Sequence, residues 1–502
     1  MIAQENEKTE KLEKKRTLCV LLTVLMLTGI IGYSFSRVMA APGDTVDFGL
    51  CPVPKIDQSN VGYRIARAMH RLETSTAENP NTVKIAVTGQ SISDGGNVWT
   101  QNLVNWLKEK YPHAKIEYRN FAIGGFASQC LYKRVPNDMA SFYPDLVICY
   151  VYGDHTKMDR LIKDIRETTT AEIMLQTCHY TEFNDQMSFW DNLYSYQLMV
   201  DIANKYHVEL CQIRPYWRKF IRDNRIQPSN LLTDGVHLNA SGQTLMLELM
   251  KQYFVYRPSN AQSIIDGHTI PISASDWKNG VLEKTFSGNR VEVVPGTGTQ
   301  YAADVLIDGK KPSETKDTFI RSDESKGMWD TNIGIVHYNR PPGEQKWTIE
   351  ITSGTNKNDF EYNVTGSVTG DEGKSENRIL DGTHLKLNEE SFVLNFKSDA
   401  DVVPGDGRPN FKVEFLSILN GTDVYNGSKS LLASGLEVRE HTLKLSAHNA
   451  SQIPDIKAIK IFNPKELASF DIIPPPYEHV NPSELDGDDN PSANFISNGN
   501  FE

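Results

Sequence analysis

Cysteine is scarce in this chain of 502 residues: there are six, with no CxxC pair and no clustered His/Cys spacing. That leaves no structural metal site to read and no dense disulfide framework. Cys19 lies inside an apolar run near the start, and Cys51, Cys130, Cys149, Cys178 and Cys211 all precede the C-terminal half. An odd number without close spacing leaves one bridge open and names none, and Cys149, in an apolar strand pattern, reads as a buried thiol. Positive charge is also short. Lys and Arg number 52 against 64 Asp and Glu, a formal net charge of −12, and no basic patch stands out, which argues against a nucleic-acid partner. What is present, 39% hydrophobic and 23% charged residues, suits a globular protein with large cores.

The polar head ends in Lys14-Lys15-Arg16 and is followed by an apolar run over 18–33. The run is short for a membrane span of about 20 residues. Val38-Met39-Ala40 places small residues before Ala41 in the manner of a signal-peptidase site. Residues 1–40 therefore read as a secretory signal cleaved after Ala40, with an uncleaved N-terminal anchor through 18–33 as the alternative. Either one carries the remaining chain across a membrane.

From 83 to 254, short β-rich apolar runs alternate with helical periodicities, the pattern of parallel strands joined by crossover helices. Strands are expected at 84–88, 115–120, 145–151, 172–177 and 208–213. Helices are expected at 97–110, with Val98, Leu103, Trp106 and Leu107 on one face, at 158–166, at 191–206, and from Asn239 or Ala240 onward. Five strands with helices on both faces make a three-layer α/β/α domain over 52–256. Functional groups in such a sheet gather where the strands end, and Ser91, Gly124-Gly125 and Gly153-Asp154-His155 all follow expected strands.

The stretch TDGVHLNASGQ, 233–243, sets Asp234 and His237 three residues apart before a helical pattern. In a turn, that spacing brings a carboxylate against one imidazole nitrogen and leaves the other free to accept a proton. The alternative is a helix-start turn with Asn239 as N-cap and His237 merely packed. A base needs a nucleophile, and Ser91 in VTGQSIS sits where a buried strand gives way to a loop. Gly124, Gly89 and Ser93 read more simply as turn and loop residues, while His155, His179 and His207 read as packed or hydrogen-bonded.

VTGQSIS, NFAIGGFAS, VYGDHTK and TDGVHLNASG, in that order between Thr88 and Gly242, resemble the four sequence blocks of the SGNH (GDSL-like) hydrolases. The resemblance implies a flavodoxin-like fold with a five-stranded parallel sheet. It matches Ser91 to the nucleophile, Asp234 and His237 to the triad acid and base, and Gly125, after Asn120, to the oxyanion-hole glycine, with the Ser91 N–H as a second donor. Two positions depart from the pattern. Gln90 stands where the family has Asp, and Asp154, or His155 if the block is read one residue later, stands where it has the oxyanion-hole Asn. Asp154 could donate there only if protonated, and bracing its own loop by accepting backbone N–H groups is the alternative.

Beyond 254 the character changes. Short β-like segments at 290–294, 303–307, 346–351, 392–396, 412–419, 442–445 and 456–462 recur with Gly/Asn/Asp turns, so a β-sandwich or jelly-roll-like region is expected over 276–464. Trp277, Trp329, Tyr338 and Trp347 could form a sugar platform, although core packing fits each of them better. The Pro-rich and acidic segment 465–502 reads as a linker tail, and its terminal NFISNGNFE resembles the opening strand of extracellular carbohydrate-binding β-sandwiches. The whole reads as an exported serine esterase acting on an ester, O-acetyl first, of an acylated carbohydrate, with no cofactor. The alternatives are a catalytically weak carbohydrate-binding or surface-adhesion protein, and a lipase or thioesterase of the same fold. No extended apolar lid-like insertion favours long acyl chains, and oligomeric state is not legible.

Overall fold

The computed structural model describes residues 45–181, 190–258, 268–323, 332–337, 342–356, 359–374, 384–387, 390–395, 412–464 and 474–480. The expected signal or anchor over 1–40, Trp329, Tyr338 and the terminal NFISNGNFE lie outside them. No helix among the described residues is long and apolar enough to cross a membrane.

The first part alternates helix and strand: α1 (Ala66–Glu73), β1 (Thr82–Gly89), α2 (Trp99–Lys110), β2 (Lys115–Asn120), α3 (Ser128–Leu131), α4 (Val135–Phe142), β3 (Leu146–Tyr150), α5 (His155–Thr168), β4 (Glu172–Gln176), α6 (Met199–Tyr206), β5 (Glu209–Cys211), α7 (Ile213–Asn224) and α8 (Ala240–Lys251). All five strands pair in parallel, in the order β2-β1-β3-β4-β5. This is the doubly wound flavodoxin-like order, whose direction reverses between β1 and β3.

Strand alternation divides the core in two. Val83, Ile85 and Val87 of β1 pack with α1, α2, α7 and α8, whereas Ala86 faces the layer of α3 to α6. Such alternation is what a sheet buried on both faces requires.

Several boundaries differ from the sequence expectation. β5 is three residues rather than six, because Ile213 already opens α7 and Pro215 is tolerated in a first turn whose N–H groups have no helical partner. In α2 the buried face is Trp99, Thr100, Leu103, Val104 and Leu107. Val98 sits at the cap and is exposed, and Trp106 is only half-buried, edge-on to Phe254. Before α6 the chain forms a π-helical turn over Tyr194–Leu198.

The second part is antiparallel β structure: β6 (His268–Pro271), β7 (Val281–Pro295), β8 (Ala303–Ile307), β9 (Phe319–Asp323), β10 (Asn332–His337), β11 (Gln345–Asn356), β12 (Asp359–Gly366), β13 (Gly370–Lys374), β14 (His384–Leu387), β15 (Glu390–Asn395), β16 (Lys412–Leu419), β17 (Val424–Tyr425), β18 (Leu431–Ala447) and β19 (Ile456–Phe462). They form sheets ordered β17-β8-β18-β7-β19-β6, β13-β12-β11-β16-β9 and β10-β15-β14. Trp277 joins the core of the six-stranded sheet, and Trp347 is buried against Phe415 with its Nε1 donating to Ser417 Oγ at 2.9 Å. Neither ring forms a surface platform.

The β region meets the α/β domain at the loops that lead into β3 and β4. Tyr143 Oη donates to Asn289 Oδ1 (2.7 Å), Asn289 Nδ2 donates to the Thr168 carbonyl (2.8 Å), and Phe462 meets the Tyr143 ring edge-on at 5.3 Å. This contact lies at the end of the sheet opposite the strand C-termini. The tail also departs from the linker expectation at 474–480, which lies along edge strand β5. Tyr477 Oη accepts from the Leu210 N–H (3.0 Å), its backbone exchanges two hydrogen bonds with the Asn204 amide, and the Arg64 guanidinium covers its ring. An edge strand covered in this way is closed to pairing with another chain.

Candidate active site

The loops after β1, β2 and β3 and the loop before α8 converge at the C-terminal rim. After β1 the Gln90 carbonyl accepts from the N–H groups of Ser93 (2.8 Å) and Asp94 (3.1 Å), folding the chain back directly after the strand. That bond uses the backbone of Gln90 and is indifferent to its side chain. Asn97 Nδ2 donates to the Ser91 carbonyl, Asn120 Nδ2 to the Ser93 carbonyl (2.6 Å) and Trp99 Nε1 to the Ile92 carbonyl (2.7 Å). Ser91 is thus fixed on a rigid bend.

The loop before α8 brings the acid and the imidazole to it. Asp234 Oδ1 accepts from the N–H groups of Val236 (3.2 Å) and His237 (2.8 Å), and the Thr233 N–H donates to the His237 carbonyl (2.7 Å), which closes the turn. Asp234 Oδ2 lies 2.8 Å from His237 Nδ1, and His237 Nε2 lies 2.9 Å from Ser91 Oγ. Asp234 and His237, expected from their spacing, and Ser91, expected from its place after a strand, therefore form one continuous hydrogen-bonded line. The backbone N–H of His237, then its ring, hold the Asp234 carboxyl down to about 2, so it is an anion near neutral pH and fixes the proton on Nδ1. Nε2 is left to accept from the serine. Both side chains are about half exposed, 46% for His237 and 55% for Asp234, so the site is open to water.

The base of this loop is fastened by a glycine. A Cβ at Gly242, in the first turn of α8, would stand 2.1 Å from the Leu231 carbonyl oxygen, the same atom that accepts from the Asn239 N–H at 3.0 Å. Asn239 Oδ1 in turn caps α8 by accepting from the Gly242 N–H (3.0 Å). Gly242→Ala is therefore expected to push α8 away from the loop that carries Asp234 and His237. The cost should be about 1–3 kcal/mol of stability, seen as a lower denaturation midpoint, together with a fall in turnover.

Gly124 and Gly125 occupy a turn closed by Phe126 N–H to the Ile123 carbonyl (3.1 Å), with Gly125 at φ +79°. That position suits a residue without Cβ, as in a type II turn. Among the described residues none accepts from the N–H of Gly125 or of Ser91, and the turn lies beside the serine: a Cβ built at Gly124 would stand 3.9 Å from Ser91 Cβ and 2.7 Å from Asp94 Oδ2. Asp94 was not anticipated. Its Oδ1 is taken by the Gly96 N–H (3.1 Å) and Asn97 Nδ2 (3.4 Å). The SDGGN run after the serine was the available signal.

Asp154 requires a correction. It is the N-cap of α5: its Oδ1 accepts from the N–H groups of Thr156 (2.7 Å) and Lys157 (3.1 Å) and from Thr156 Oγ1 (2.6 Å). Burial works to raise its pKa, but the Thr156 hydroxyl and the two N–H groups outweigh it and hold the carboxyl below its usual range. An ionised, accepting carboxylate cannot donate to an oxyanion, so Asp154 stands outside the donor set. Asp154→Asn is expected to leave both stability and the kcat/KM profile against pH unchanged. Asp154→Ala should cost about 1 kcal/mol of stability, the usual loss of a cap, read from a denaturation midpoint. His155 follows as the first residue of α5, with its ring 6.5 Å from that of Trp190.

Among the described residues no group of His, Cys, Asp and Glu could hold a metal ion, and Cys51, Cys149, Cys178 and Cys211 stand outside any disulfide. The strand order, with Ser91 after β1, the glycine turn after β2 and the Asp234/His237 loop before the last helix, is the flavodoxin-like arrangement that the resemblance of the four sequence blocks implies. No protein-family model matches the chain, and no curated protein matches it. Solved structures do. An acetylxylan esterase, Axe2 from Geobacillus stearothermophilus, is similar at 18% identity and TM-score 0.32, covering 36% of this chain and 96% of its own. A GDSL-like lipase from Parabacteroides merdae is similar at 15% identity and TM-score 0.31, covering 35% and 96%.

Proposed function

We propose that the protein is an exported serine carboxylic ester hydrolase that removes an O-acetyl group from a carbohydrate. The observation that carries the chemistry is the line from Asp234 Oδ2 through His237 to Ser91 Oγ, at 2.8 and 2.9 Å. His237 Nε2 takes the Ser91 proton as Oγ attacks the ester carbonyl, and Asp234 stabilises the imidazolium. The N–H groups of Ser91 and Gly125 bind the developing oxyanion, a contribution of about 3 kcal/mol per donor in such sites. Collapse of the tetrahedral intermediate sends the proton from Nε2 to the departing sugar oxygen. Water, deprotonated by the same nitrogen, then releases acetate from the acyl-serine.

The acetyl and carbohydrate part of the reading is supported by what surrounds the serine. A carboxylate, Asp94, lies against the same glycine turn as the nucleophile, and an acceptor there suits a sugar hydroxyl better than an alkyl chain. Export rests on the basic flank and apolar run over 18–33.

The test is to incubate the protein with acetylated xylan, other acetylated glycans and a small soluble acetyl ester, and to quantify released acetate against a Ser91→Ala control. Acetate from the small ester alone would keep the esterase and remove the carbohydrate assignment. No acetate from any ester would favour the binding or adhesion reading.

A further inference from the structure

We propose that His179 is a positioning residue for the catalytic loop: a second, buried histidine whose Nε2–H holds the Val236 carbonyl and so keeps Asp234 and His237 in register with Ser91. The inference rests on the serine esterase reading for its kinetic consequence.

His179 lies just beyond the end of β4 and is 2% exposed. Its Nε2 lies 2.7 Å from the Val236 carbonyl oxygen and its Nδ1 2.5 Å from Tyr150 Oη, while its own backbone N–H donates to that same Tyr150 oxygen at 3.1 Å. For a neutral ring only one proton arrangement satisfies all three contacts. A carbonyl oxygen only accepts, so Nε2 must carry the hydrogen. Nδ1 then accepts, the Tyr150 hydroxyl donates to it, and the free lone pair of Tyr150 takes the His179 N–H. The opposite tautomer would face two lone pairs across 2.7 Å in a buried place.

Packing holds the ring in this state. The His179 ring lies 5.3 Å from that of Trp217 and 6.1 Å from that of Tyr150. Burial pushes its pKa down to about 4 against the opposing pull of the Val236 carbonyl, with the Arg214 and His237 charges acting in the same sense as burial. The ring is therefore neutral, and Tyr150 fixes its tautomer much as Asp234 fixes that of His237.

The place where this contact ends gives it a role. Val236 precedes His237, in a loop whose base is anchored by buried Leu231, Leu232 and Leu238 but whose tip carries two half-exposed side chains. The internal hydrogen bonds of the tip shape the turn without tying it to the sheet. The His179 contact runs from the turn to the end of β3, the strand beside the one that delivers Ser91, and to the end of β4 next to it. A displacement of about 1 Å between base and nucleophile is enough to cost about 10²-fold in rate.

The experiment compares wild type with His179→Phe, His179→Gln and Tyr150→Phe in the full chain. Glutamine can place an amide donor near the Nε2 position, whereas phenylalanine cannot donate. On a small acetyl ester, His179→Phe should lower kcat by about 10²-fold with KM little changed, His179→Gln should recover most of the loss, and Tyr150→Phe should fall between them. A folded His179→Phe with wild-type kcat would overturn the proposal. Should that variant fail to fold, a Tyr150→Phe protein indistinguishable in kcat from wild type, or a folded His179→Ala protein with wild-type kcat, would overturn it.

A second readout does not need turnover. Two-bond 1H–15N correlations, seen through the carbon-bound ring protons, report histidine tautomers. His237 should be the Nδ1–H form in wild type and in His179→Gln, and a tautomer mixture in His179→Phe or Tyr150→Phe. An unchanged His237 signature in the latter two overturns the positioning role. If wild type hydrolyses no ester, the esterase reading falls, and this signature still decides whether His179 sets the loop.

Discussion

Ser91→Ala and His237→Ala are each expected to abolish ester hydrolysis, lowering kcat by up to about 10⁶-fold while the fold persists, because the two side chains act as one unit on one proton transfer. Neither side chain supports the core: Ser91 sits on a rim bend and His237 is half exposed. Unchanged far-UV circular dichroism should accompany the loss, and a Ser91→Ala protein turning over at the wild-type rate would remove the nucleophile assignment. Asp234 separates the roles further. Asp234→Asn keeps the Oδ1 that accepts from the Val236 and His237 N–H groups, so the turn survives. Its amide then presents N–H to Nδ1, pushes the imidazole proton to Nε2 and disables the nitrogen that faces Ser91, a tautomer error worth about 10⁴-fold in a triad. Asp234→Ala leaves an exposed imidazole to choose its tautomer in water, so the Asn variant should be at least as slow as the Ala variant. The reverse order would mean that Asp234 shapes the turn and does not set the proton.

How much of this was legible in the sequence depends on where each interaction has its partner. The inner strands β1, β3 and β4 were readable because burial on both faces forces apolar runs, and the half-buried edge strand β2 matches its expected range to the residue. The Asp234–His237 pair was readable because its bond is local, three residues along the chain. Interactions with distant partners left no local signature. Helix α1 went unrecognised because it has no side-chain cap of its own: Glu172 of β4 supplies it, accepting from the N–H groups of Arg67 (2.9 Å) and Ala68 (2.7 Å). The 474–480 segment looked like a linker because Tyr477 is held by Arg64, Asn204 and Leu210, all more than two hundred residues upstream.

The candidate site shows the same division at finer scale. An acid after a strand is equally consistent with a carboxyl aimed at substrate and with one folded back as a cap, and only backbone geometry tells Asp154 apart from the first. His179 follows a strand and faces the rim, a weak signal, yet its meaning depends on Tyr150 and Val236, which lie on different elements. Asp94 was closer to legible, since it lies three residues after Ser91. The four sequence blocks fix the backbone path here more firmly than the chemistry of each side chain on it.

The largest stability effect is expected behind the site, at the ion pair between Arg214 of α7 and Asp191. Arg214 is fully buried and Asp191 nearly so, with Nη1 to Oδ2 at 3.4 Å. The guanidinium also donates from Nε to Asn192 Oδ1 (2.8 Å) and from Nη1 to the His179 carbonyl (3.0 Å), while Thr181 Oγ1 donates to Asp191 Oδ2 (3.1 Å). Burial pushes the Asp191 carboxyl up and Arg214 opposes it. Removing the carboxylate strands an arginine that cannot shed its proton, so Asp191→Ala should cost about 3–5 kcal/mol, and Arg214→Met should cost a similar amount by stranding the anion. The pair itself contributes less than either loss suggests, because taking two charges out of water offsets most of their attraction. The double variant Asp191→Leu with Arg214→Met should therefore be more stable than the sum of the single losses, though still below wild type, since Asn192 and the His179 carbonyl lose their donor. A denaturant-unfolding double-mutant cycle measures this. Single losses below about 1 kcal/mol, the range of exposed pairs, would show that water reaches the pair and that α7 does not brace the His179 segment through a buried charge.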